Sequence, residues 1–101
     1  MTIFYGPRDE PIPAMFDALA SDTRRSILWL LRTPSLSATD IGDHLGVRQQ
    51  TVSEHLAILQ RSGLVQRVSW SRYAVDEEGV RHLKEFIDRH FVESRDTRPM
   101  F

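Results

Sequence analysis

The side chains best equipped for chemistry lie almost in a row: Arg48, Gln49, Gln50, Thr51, Ser53, Glu54 and His55. Amides, hydroxyls and a guanidinium are the groups that hydrogen-bond base edges and phosphates, provided a helix projects them outward. Glutamine bonds adenine bidentately, which favours base contact for Gln49 or Gln50. Ser53 and Glu54 follow one turn later, with Glu54 either accepting from cytosine or bracing Arg48. Arg48 and Thr51 sit near a helix N-terminus, where exposed backbone N–H groups suit phosphate. His55 borders the apolar stripe of the same helix and reads as a packing residue that also touches a phosphate. The competing reading of the whole row is an ordinary solvated helix face.

Charge supports the first reading through its distribution. The chain is nearly neutral, with a formal net charge of -1, whereas nucleic acid usually recruits a basic partner. Between residues 48 and 75, however, Arg48, Arg61, Arg67 and Arg72 stand against Glu54 alone, and the acids collect in the flanks, as at Asp76, Glu77 and Glu78. A basic surface confined to one region focuses attraction even on a neutral molecule.

The positioning elements follow from the segment ATDIGDHLGVRQQTVSEHLA, residues 38–57. Ile41 and Leu45 share one helix face. Gly46 stands where a helix end favours a left-handed residue. Val52, Leu56 and Leu59 form the stripe of a second helix, and Gly42 lets the two approach. This is the spacing of a helix-turn-helix. Ser37 and Asp40 form a capping-box pattern that starts the first helix of the pair. The second spans about residues 49–62 and ends at Gly63.

Upstream, Pro11 and Pro13 precede a helix over about 14–20. Ser21 or Asp22 caps another that runs to about residue 32, with Ile27, Leu28, Leu30 and Leu31 for the core, until Thr33-Pro34 breaks it. Downstream, residues 64–68 and 72–75 form a β-hairpin with a very short tip, on which Trp70 is either folded back or laid against a sugar-phosphate backbone. A last amphipathic helix then extends to about residue 92. The expected fold is mainly α with a small β-hairpin, a winged helix-turn-helix of order α-α-α-α-β-β-α. Residues 1–13 read as an arm, 14–93 as the DNA-binding and dimerisation domain, and 94–101 as a tail.

The outer helices carry more apolar residues than a small monomer needs. Met15, Phe16 and Leu19 on the first, with Leu83, Ile87 and Phe91 on the last, are expected to form a homodimer interface; tight packing within one chain is the alternative.

Other classes find little support. With no cysteine among 101 residues, disulfides, thiolate metal sites and thiol switches are excluded. No segment is apolar enough to span a membrane, and the opening MTIFYGPRDEPIP lacks the pattern of a signal peptide. A cytoplasmic protein is expected. Ser53 and His55 point about 200° apart on a helix, and no phosphate loop or nucleophile elbow occurs. An enzyme is therefore not expected; the rival is a winged-helix module that binds protein.

Several segments, in order, resemble the ArsR/SmtB family of winged-helix repressors. FDALASDTRRSILWLL is similar to that family's opening, LSATDIGDHLGV to its turn, QQTVSEHLAILQRSGLV to its recognition helix, and RYAV to the end of its hairpin. The resemblance implies a homodimeric repressor that binds double-stranded DNA at an inverted repeat. Many members sense metal through a cysteine pair at the start of the third helix, where this chain has Ser37 and Thr39, poor ligands for soft metals. A second family site, on the last helix, implies Asp-x-His and then His-x-x-Glu. His90 and Glu93 keep the second spacing, but Glu77 and Gly79 stand at the first. No metal cofactor is expected, which points to the metal-independent, autorepressor-like branch. A zinc-responsive repressor using His90 and Glu93 is the alternative, and a small apolar ligand or a protein is left open as inducer. The hairpin is shorter than the family's usual wing, so Arg67 and Arg72 are expected to meet phosphates.

Overall fold

The computed structural model describes residues 10–32 and 35–92. The arm up to residue 9, the Thr33-Pro34 break, Glu93 and the tail lie outside the described residues. The elements are α1 (Ile12–Ala18), α2 (Asp22–Leu30), β1 (Leu36–Ser37), α3 (Ala38–Leu45), α4 (Gln49–Ser62), β2 (Val65–Ser69), β3 (Arg72–Val75) and α5 (Glu77–Ile87), followed by a π-type turn over Asp88–Val92.

The helix ends follow from local chemistry. Ser21 accepts from Arg24 N–H at 3.2 Å and opens α2. Ser37 and Asp40 close both halves of a capping box at α3, and the Asp76 carboxylate accepts from the N–H groups of Glu78 and Gly79 at α5. Gly46 ends α3 at φ 69, a left-handed conformation in which a β-carbon is costly. Gly42 is required by space: a Cβ there would lie 2.6 Å from the Val47 carbonyl oxygen. Its bareness lets α3 press against the turn into α4.

Val52, Leu56 and Leu59 of α4 meet Ile12, Met15, Ile27, Leu31 and Ile41 in the core, all essentially inaccessible. Each such side chain contributes roughly 1.5–3 kcal/mol of burial. The one buried polar residue among those described, Ser62, donates to the Leu59 carbonyl at 2.8 Å.

Four expectations need correction. The first helix starts two residues early, at Ile12, because Pro13 falls in its first turn, where a missing N–H costs nothing; Ile12 thereby becomes part of the core. The second ends at Leu30. The sheet has three strands, in the order β1-β3-β2: the short β1 pairs antiparallel with β3, placing Leu36 opposite Tyr73 and Ser37 opposite Arg72. A two-residue strand is too short for alternation to betray it in sequence. The last helix does not run as a regular α-helix to residue 92 but widens into the π-type turn after Ile87.

Candidate nucleic-acid interface

The buried stripe of α4 fixes what its other face presents. With Val52, Leu56 and Leu59 turned inward, Gln49, Gln50, Ser53 and Glu54 are exposed, and Thr51 and His55 lie half-buried at the margin. Arg48 occupies the N-cap position in extended conformation (φ -63, ψ 144), and no side chain caps this helix. The first backbone N–H groups of α4 thus keep their donor capacity and the positive end of the helix dipole. The expected row of residues is brought together at one helix end.

The wing is more occupied internally than the sequence suggests. Arg72 donates through Nε to Ser35 Oγ at 2.9 Å and through Nη2 to the Ser35 carbonyl at 2.7 Å, tying β3 to the segment before α3. Arg67 lies over the Tyr73 ring, 5.4 Å from its centroid, and donates to the Tyr73 hydroxyl at 3.0 Å. Both guanidinium groups remain at the surface, braced rather than trailing. The pairing register of β2 with β3 shifts between Arg67 and Ser69, just before the tip. At that tip Trp70 is 85% exposed, so it does not fold back on the sheet.

Sequence reasoning missed the role of Arg24. Arg25 forms an i,i+3 ion pair with Asp22. Arg24 instead donates through Nε to the Ala18 carbonyl at 2.7 Å and through Nη2 to the Asp17 carbonyl at 3.3 Å. Its Nη1 meets Nδ1 of His55 at 3.3 Å. It therefore joins the C-terminal end of α1 to the recognition helix. The available signal was negative: no acid lies three or four residues from Arg24.

Burial also revises the expected dimerisation set. Met15 (2% exposed) and Leu83 (7%) are spent in the chain's own core, and Leu19 and Ile87 are half-buried. On the first helix, the last helix and the turn after it, the exposed large apolar side chains are Phe16, Val80 and Phe91, while Trp29, Val68 and Trp70 are exposed elsewhere. Phe16 and Phe91 both pack edge-on against Phe86, at centroid distances of 6.2 Å. His90 lies against the same ring at 4.2 Å. Among the described residues, no three of His, Asp or Glu converge as a metal site, and no helix is long and apolar enough to cross a membrane.

A helix-turn-helix backed by a braced hairpin defines a winged-helix domain of the DNA-binding type. A helix-turn-helix domain family model matches residues 19–68. YbzH of Bacillus subtilis, an uncharacterized HTH-type transcriptional regulator, is 31% identical over 96 residues, covering 77% of this chain and 95% of YbzH. The transcriptional repressor SdpR of the same organism is 35% identical over 51 residues, 50% of this chain and 57% of SdpR; the chain spans only 22% of another curated relative. Among solved structures, an ArsR-like transcriptional regulator from Rhodococcus sp. RHA1 superposes with a TM-score of 0.75 at 29% identity, covering 85% of this chain and 82% of that one. The homodimeric winged helix-turn-helix DNA-binding domain of Mb0332 from Mycobacterium bovis shares the fold with a TM-score of 0.64 at 23% identity, over 91% of this chain and 95% of that one. The chain belongs to the ArsR family of winged helix-turn-helix, DNA-binding transcriptional regulators.

Proposed function

We propose that this chain is a homodimeric repressor that sets two copies of α4 in successive major grooves of an inverted-repeat operator. A two-fold axis spaces the half-sites about 34 Å apart, one duplex turn. The observation that carries this is the uncapped N-terminus of α4, flanked by Arg48 and the exposed Gln49, Gln50, Ser53 and Glu54. Gln49 and Gln50 read base edges, Ser53 and Glu54 assist, and Arg48 and Thr51 hold phosphates. His55, Arg67 and Arg72 add phosphate contacts from the helix margin and the wing. The dimer forms through α1, α5 and the turn that follows α5, where Phe16, Val80 and Phe91 leave apolar surface around Phe86. It acts in the cytoplasm by binding, not by catalysis, and it responds to a small apolar ligand or a protein rather than a metal.

The test is anisotropy of labelled duplex carrying the DNA upstream of this gene, measured against scrambled duplex across a salt series, with and without zinc or chelator. Preference for the upstream sequence, steep salt dependence and indifference to metal are expected. Equal binding to scrambled duplex contradicts sequence-specific repression from this site. Zinc-dependent release would replace the metal-independent reading with a zinc-responsive one through His90 and Glu93.

A further inference from the structure

The contact between Arg24 and His55 has a chemical consequence. A guanidinium has five N–H donors and no acceptor, so the ring nitrogen it meets must accept. That nitrogen is Nδ1, at 3.3 Å from Arg24 Nη1. Nδ1 therefore carries no proton, and in the neutral ring the proton resides on Nε2. The guanidinium cannot swing away freely, because its other two nitrogens are held by the Ala18 and Asp17 carbonyls. Those carbonyls stand at the end of α1, and a cation there is also favoured by the helix dipole. His55 is half-buried on α4, next in sequence to the exposed Glu54. Among the described residues, its Nε2 is not a buried atom left unsatisfied.

From this geometry we infer that Arg24 is a positioning residue for DNA binding. It locks His55 as the neutral Nε2–H tautomer, so that His55 offers a phosphate an uncharged N–H donor at the margin of α4. The inference rests on the DNA-binding reading of that helix. It also distinguishes His55 from the arginines around it. A cation that neutralises a phosphate releases counterions and steepens the salt dependence of binding, whereas a neutral donor adds affinity without doing so.

Two measurements on the full chain test this. The first is long-range proton–nitrogen NMR correlation of the imidazole rings at neutral pH, in the wild type and in Arg24→Gln. His55 is expected with Nδ1 unprotonated and Nε2 protonated, and that preference should be lost in the variant. The second is binding to labelled upstream duplex across a salt series by His55→Asn and His55→Gln, neither of which touches Arg24's bonds to α1. Asparagine places an acceptor where Nδ1 was but cannot reach as Nε2 does; glutamine places an N–H near the Nε2 position. His55→Asn is expected to weaken binding roughly three- to tenfold with an unchanged salt slope, and His55→Gln to bind within about twofold of wild type.

A protonated Nδ1 in the wild type, as the other tautomer or as imidazolium, overturns the inference. So does a salt slope that falls by about one per subunit in His55→Asn, or wild-type affinity in that variant. Wild-type protein without preference for upstream over scrambled duplex would overturn the repressor reading instead, while the NMR result would still decide the role of Arg24. Should Arg24→Gln fail to fold, the wild-type spectrum and the two His55 variants decide alone.

Discussion

The two helices of the helix-turn-helix begin in opposite ways. At the start of α3, Ser37 and Asp40 close a reciprocal capping box, with Asp40 N–H donating to Ser37 Oγ at 3.0 Å and Ser37 N–H to the Asp40 carboxylate at 3.3 Å. Side chains likewise cap α2 and α5, through Ser21 and Asp76. At the start of α4 the N-cap residue is Arg48, which has no acceptor to offer. A serine or aspartate there would have been the stabilising choice, by about 1 kcal/mol. The first helix of the pair has its end groups satisfied internally; the second leaves its first N–H groups without a side-chain cap. On the proposed function, that contrast is how a chain of net charge -1 presents a local site for phosphate.

Separating the two helices gives the largest effect. Gly42→Val would force a side chain against the Val47 carbonyl, only 2.6 Å from the Cβ position. It should cost roughly 1–3 kcal/mol of stability and lower operator binding as well, because the turn sets the angle of α4; denaturant unfolding and anisotropy on the same sample measure both. Altering only the reading end should leave stability alone. Gln49→Ala or Gln50→Ala is expected to relax discrimination at particular base pairs by about 1–3 kcal/mol, seen by competition with single-substituted duplexes. Uniform loss on every sequence would move these residues to phosphate contact. Altering only the supporting end should do the reverse. Ser37→Ala is expected to lower stability by about 1 kcal/mol through the lost cap, with affinity per folded dimer unchanged.

The main elements could be read from the sequence because strong local signals agreed. The α4 boundaries, the capping box at Ser37 and the left-handed Gly46 all follow from residues a few positions apart. What escaped was non-local or too short. Strand β1 exists because Leu36 and Ser37 meet Tyr73 and Arg72 across the fold, and two residues carry no period. Arg72 is tied to Ser35, and Arg24 to His55, over separations of 37 and 31 residues. Nothing in either neighbourhood announces the partner. Met15 and Leu83 have the same apolar character as Phe16 and Phe91, so periodicity alone could not divide the core from the outer apolar surface.

The sharpest test of the contrast between the two helices is Arg48→Asp, followed by thermal unfolding and by operator binding across a salt series. Aspartate in this extended N-cap position should cap α4 and raise stability by about 0.5–1 kcal/mol. The same change should weaken operator binding and flatten its salt dependence by at least about one per subunit, because a phosphate contact is replaced by a like charge. Gained stability with lost DNA binding is the predicted result. Gained stability with wild-type affinity and slope would contradict it, because the open end of α4 would then not be where the DNA backbone is held.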